Sequence, residues 1–190
     1  MNPTLEDIVA AYRSGIRLPC CGWQGGCGGC FDTREHDIER LGITVEMPIE
    51  DAIRLATHSV HLDTGTMHPH QRRLGRSNVK NATPLLLGVA KQLASAMTFH
   101  EVLSTVSRVL SPIRGFGDVA IYDFSDRISF ALGLSPSRVY LHAGVTVGAK
   151  ALGINVSNKK FLEPSELPKA LRVLSAAELE DLLCIYKNCF

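Results

Sequence analysis

Residues 111–153, SPIRGFGDVAIYDFSDRISFALGLSPSRVYLHAGVTVGAKALG, decide how this chain is read. A helix is expected to end near Leu110. After the turn Ile121, Phe124, Ile128 and Leu132 recur at helical spacing, which predicts a second helix. Between the two lies Ile113-Arg114-Gly115-Phe116-Gly117. Two glycines let the backbone turn sharply, and the following helix opens with N–H groups that lack intrahelical partners and with the positive end of its dipole. Helix, glycine turn, helix is the form of a helix-hairpin-helix, and its turn suits a phosphate. Such a hairpin grips nucleic acid by its backbone without reading bases. The plainer alternative is a glycine turn between two packed helices.

Working outward, most of the chain also reads as helix. Thr4 to Ser14 opens with a capping box, Thr4 with Asp7, and stops at Gly15. Residues 32–41 suggest a short polar helix, and 42–47 a brief extended segment. Ile49, Ile53, Ala56 and Val60 predict an amphipathic helix over 49–62. A further helix is expected to be capped near Thr83 with Pro84 in its first position. Thr98-Phe-His-Glu and Ser175-Ala-Ala-Glu are capping-box signatures, the second followed by Leu179, Leu182, Leu183 and Tyr186 on one face. Strand-like alternation is scarce. The expected fold is mainly α, a helix-hairpin-helix-containing bundle with a Cys/Gly-rich N-terminal loop. It is read as a single domain over 1–190: a Cys-rich segment 1–47, then a helical body 48–190 with the hairpin near 98–132.

The composition of the 190 residues, 45% hydrophobic and 21% charged with a formal net charge of +1, excludes a disordered chain and a strongly basic histone-like one. The near-neutral total is an average. Residues 64–100 hold no acid but carry Arg72, Arg73, Arg76, Lys80 and Lys91, so backbone phosphate contact is expected there. In the same window His68 and His70 flank Pro69, a pattern open to a phosphate, a metal or a solvated basic loop.

Cys20, Cys21, Cys27 and Cys30 cluster within PCCGWQGGCGGCF, while Cys184 and Cys189 lie near the other end. No cationic, apolar leader pattern and no long apolar run is present, so a cytoplasmic protein without a membrane span is expected. Clustered cysteines in that setting point to metal or redox chemistry rather than disulfides. Thiolates at Cys20, Cys21, Cys27 and Cys30 would suit zinc or an iron-sulfur cluster, with His36, Cys184 or Cys189 as further candidate donors. The alternative is a glycine-shaped loop of free thiols.

The order I-R-G-F-G, helix to Leu132, G-L-S-P, then V-Y-L-H-A-G-V resembles the helix-hairpin-helix DNA glycosylase superfamily, the endonuclease III-like repair enzymes. The signature covers about a third of the chain. The resemblance implies DNA as partner, with Arg114, Gly115 and Gly117 and the basic residues Arg72, Arg73, Arg76 and Lys80 as the grip. It implies base-excision chemistry, and C-x6-C-x2-C from Cys20 is similar to three of the four positions of the family's iron-sulfur loop, here N-terminal. Two departures matter. Val119 stands where lyase-type members carry the Schiff-base lysine, so lyase chemistry is not expected. His142 falls close to the family's catalytic aspartate, and a histidine can act as a base but offers no permanent negative charge. The wider combination H-P-H-Q-R-R, V-Y-L-H-A-G and L-C-I-Y-K is also similar to a compact bacterial protein family, which implies no activity.

The candidate catalytic set is therefore His142, Asp123 and Tyr122, with Arg127 beside them. Asp123 and Arg127 also fit an i, i+4 surface pair, and His142 also fits a satisfied core residue. Gly144 and Gly148, four apart in the helix expected around His142, suggest a close approach of another backbone or of a ligand. Two rivals remain: a non-catalytic, metal-stabilised module for binding DNA or protein, and a glycosidic enzyme acting on nucleotides.

Overall fold

The computed structural model describes residues 3–21 and 30–190. The chain divides into two compact units, one made of residues 1–35 and 137–190, the other of 36–136. Among the described residues there are ten α-helices and one two-stranded sheet, so the fold is mainly α.

The first unit gathers both ends of the chain. It holds α1 (Leu5–Arg13), β1 (Val139–Tyr140), α9 (Ala143–Ala151), β2 (Phe161–Leu162) and α10 (Ala176–Ile185). Helices α1 and α10 start as their sequences require: Thr4 and Asp7, and Ser175 and Glu178, form reciprocal capping boxes. Ile8 and Tyr12 of α1 are buried with Val145 of α9 and Leu179, Leu182, Leu183 and Tyr186 on and just after α10. The Tyr12 hydroxyl donates to Asp181 at 3.1 Å. Strands β1 and β2 pair antiparallel, Val139 opposite Leu162. A Cβ on Gly148 would lie 2.2 Å from the Leu183 carbonyl oxygen, and one on Gly144 2.3 Å from Cys184 Sγ. The two glycines therefore serve close packing of α9 on α10.

A disulfide joins Cys20 to Cys189, 169 residues away. This corrects the expectation of metal or redox chemistry rather than disulfides at Cys20. In the same unit α1 buries its apolar face in the core that α10 completes.

The second unit holds α2 (Arg34–Arg40, which starts just before it), α3 (Ile49–His58), α4 (Pro69–Leu74), α5 (Arg76–Leu87), α6 (Ala90–Ala94), α7 (Phe99–Leu110) and α8 (Asp118–Ala131). Its core is built from Ile53 and Ala56 of α3, Ala82 and Leu86 of α5, Val102 and Val106 of α7, and Phe124 and Ile128 of α8. Helix α8 packs on α7 and α3. Thr98 caps α7 by accepting from Glu101 N–H, whereas the Glu101 carboxylate reaches one residue further back, to Met97 N–H at 2.7 Å.

Three local expectations are corrected. Residues 42–47 form turns rather than a strand. Helix α3 stops at His58, where Ser59 takes a left-handed φ of 49°. Helix α5 does not begin at Pro84 but runs through it from Arg76, because Thr83 does not act as a cap. Its hydroxyl instead donates to Val79 O at 3.3 Å and meets the Thr57 hydroxyl of α3 at 2.9 Å.

Candidate functional site

Two features of the second unit carry candidate chemistry. The first is the link between α7 and α8. Phe116 is buried against Phe124, which pins the turn, while Pro112, Arg114, Gly115 and Gly117 are exposed. Gly115 has φ +106°, and a Cβ there would lie 2.5 Å from Asn78 Nδ2 of α5. Glycine is thus required twice, by conformation and by space. Gly117 is the N-cap of α8 and no side chain caps that end; Asp118, in its first turn, is exposed. Arg72 and Arg73 of α4, Lys80 of α5 and Arg114 are all exposed and make no ion pair among the described residues. The Arg76 side chain lies outside what the structure describes.

The second feature is a polar centre lined by three histidines. A tight loop at 60–67, closed by pairing of Val60 with Met67, sets His61 and His68 on its two sides. His68 and Pro69 then start α4, which carries His70 and Gln71. The imidazoles meet edge to face, His61 to His68 at 5.9 Å and His68 to His70 at 4.8 Å between ring centroids. Helix α8 contributes Asp123 and Arg127, and α2 contributes Asp37. Asp123 Oδ2 lies 2.9 Å from His70 Nδ1 and accepts from Gln71 Nε2 at 3.0 Å. Arg127 donates to Asp37 at 3.2 Å and to the Ser59 hydroxyl at 2.7 Å. His61 Nε2 meets Asp37 at 2.8 Å.

Arg127 is therefore no solvated surface partner of Asp123. Its side chain is 5% exposed and turned to Asp37. Burial alone would raise both carboxyls. Arg127, His68 and the His61 hydrogen bond outweigh it at Asp37, and the His70 hydrogen bond, Arg127 and the neighbouring imidazoles outweigh it at Asp123, so both are held below the usual carboxylate range. Burial, then the Arg127 charge, pushes His68 down to about 4, leaving that ring neutral at pH 7. The centre is thus a set of ionised carboxylates, one guanidinium and at least one neutral imidazole, and it can bind a cation or exchange protons.

Comparison with known families, curated proteins and solved structures gives no match. The assignment rests on the residues themselves.

Of the expected catalytic residues, Asp123 belongs to this polar centre. Tyr122 is buried, its ring packed on Phe99 of α7 at 5.6 Å. His142 belongs to the other unit, where it is the N-cap residue of α9 and its Nε2 contacts the Glu180 carboxylate of α10. Both members of that pair are buried.

The expected cysteine site is changed. The disulfide removes Cys20 as a thiolate ligand, since a sulfur committed to an S–S bond carries no thiolate charge. Cys30 is exposed and outside any disulfide. Cys27 and the Cys21 side chain lie outside the described residues.

Sequence reasoning missed Asp37, His61, Gln71 and Ser59. One signal was present: four of the seven histidines, His58, His61, His68 and His70, fall within thirteen residues. Nothing local ties them to Asp123, 53 positions beyond His70.

Proposed function

We propose that this protein binds duplex DNA through the phosphate backbone, using the α7–α8 turn as a helix-hairpin-helix. The observation that carries the reading is the exposed turn 112–117, held by buried Phe116 and leading into the N-terminus of α8, where no side chain occupies the cap. Asn78 sets that turn against α5, one of the two helices that bring exposed cations from the acid-free window. Backbone N–H groups at a helix start and unpaired arginines are what a phosphate needs. Arg72, Arg73, Lys80 and Arg114 supply four positive charges, and DNA contact by all four would be independent of base sequence.

Fluorescence anisotropy with short duplexes of unrelated sequence tests this. Arg114→Ala and the pair Arg72→Ala/Lys80→Ala are each expected to weaken binding to every duplex by similar factors. Unchanged affinity in both variants would overturn the assignment.

The finer reading, base excision, is favoured by the His142–Glu180 contact. A histidine cannot steady an oxocarbenium ion by permanent charge, but a carboxylate behind it can supply that charge. In this reading Glu180, a residue the sequence pattern did not single out, would supply that charge. A Glu180→Gln variant that folds and binds DNA is expected to lose release of modified bases. Full retention of release would remove the pair from the chemistry.

A further inference from the structure

We propose that His68, His70 and Asp123 bind a divalent transition-metal ion, with zinc as the ion their chemistry suits. One ligand atom from each lies within 4.8 Å of the others. Two imidazoles and a carboxylate form the three-ligand set that leaves zinc a fourth, open position.

Three further observations support the site. First, the ligands are held in place before any ion arrives. Asp123 stands on α8, and His68 and His70 stand at the start of α4; Gln71 bridges them, donating through Nε2 to Asp123 while its Oε1 faces His68 Nδ1 at 2.8 Å. The same Nδ1 accepts from the His70 backbone N–H at 3.3 Å, so the ring is held from two sides. An amide that contacts a histidine ring and steadies a carboxylate is the outer support that metal ligands ordinarily have.

Second, the acidic groups outnumber the fixed cation. The centre holds two carboxyl groups, Asp37 and Asp123, and one guanidinium, that of Arg127, which is turned to Asp37 and Ser59 rather than to Asp123. His68 Nε2 also lies 3.8 Å from Asp37 Oδ1, which places a second carboxylate beside the cluster. Third, the site is reachable. The His70 side chain is 40% exposed, whereas those of Asp123 and His68 are 16% and 19% exposed, so an ion would enter past His70 and keep a water on its open side.

The site is independent of the DNA reading and is tested without DNA. Full-length protein, stripped with a chelator and dialysed, is titrated with zinc chloride by calorimetry and with cobalt(II) by absorbance. One equivalent is expected. His70→Ala and Asp123→Asn should each weaken zinc binding more than about 100-fold, and Gln71→Ala by roughly 10–100-fold, as an outer support does. Cys30→Ser should change nothing. The cobalt adduct should show weak visible bands without thiolate charge transfer in the near ultraviolet. Because His70 is partly exposed, His70→Ala is expected to fold; circular dichroism checks this, and His70→Gln serves as a second variant. Absence of binding, binding that survives both ligand variants, or a thiolate charge-transfer band would each overturn the site. None of those results bears on DNA affinity.

Discussion

Arg127→Met tests whether the polar centre is a built feature of the second unit. Methionine keeps much of the apolar stem and removes the guanidinium, leaving Asp37 buried without its main counter-charge. The Asp37 and Arg127 side chains are 17% and 5% exposed, so the pair is screened little by solvent. Removing one partner of a buried pair costs about 3–5 kcal/mol. The His61 hydrogen bond remains on Asp37, which places the expected cost near the lower end, about 3 kcal/mol. Asp37 has its carboxyl held below the ordinary value by Arg127, His68 and His61 acting against burial. Its stabilisation is present above the unfolded-state value, about 3.9, and is lost as pH falls through the lower folded-state value. The gap between wild type and Arg127→Met should therefore be full at pH 7 and narrow on acidification below about pH 4. In an Asp37→Asn background the same change should cost only about 1 kcal/mol, because no buried charge is orphaned. Urea unfolding followed by circular dichroism, with hydrogen exchange on α8, reads all three quantities. A cost under 1 kcal/mol at pH 7, or an equal cost in both backgrounds, would refute the reasoning.

Three more expectations concern other parts of the molecule. Reducing Cys20–Cys189, or replacing both residues with serine, frees a loop of 169 residues and should lower stability by up to about 5 kcal/mol, read as a lower urea midpoint; an unchanged midpoint would contradict a stabilising role. Gly148→Ala forces a Cβ against the Leu183 carbonyl and should cost about 1–3 kcal/mol in thermal unfolding, although alanine is ordinarily the better helix residue. Asp118→Asn removes a carboxylate from the mouth of the α7–α8 turn and should tighten DNA binding about fivefold by anisotropy, the effect of roughly 1 kcal/mol of repulsion in water.

What was legible in the sequence was local. The capping boxes at Thr4 and Ser175, the cap at Thr98 and the apolar spacing of α8 all act within a turn or two, and α1, α7 and α10 start where their caps say. Pro84 misled because proline is welcome at a helix start; only the bond from Thr83 to Val79 and its contact with Thr57 show that the helix is already under way. The Gly144 and Gly148 pair signalled the close approach of another element, which proved to be the Cys184 side chain at Gly144 and the Leu183 backbone at Gly148. The polar centre was out of reach for a different reason. Asp123 and Arg127 four apart on a helix look like a solvated pair, and only packing of α8 against α2 and α4 residues separates them, giving one to His70 and Gln71 and the other to Asp37. The Cys20–Cys189 bond, formed across nearly the whole chain, likewise depends on α1 and α10 sharing a core.

The central claim is that the exposed cations of α4, α5 and the α7–α8 turn hold DNA phosphates, and the salt dependence of affinity tests it most directly. Four neutralised phosphates predict a slope of log affinity against log salt of about −3.6, a fall of roughly 100-fold between 50 and 200 mM salt, the same for unrelated duplexes. A slope near zero, or no measurable binding at low salt, would contradict the account.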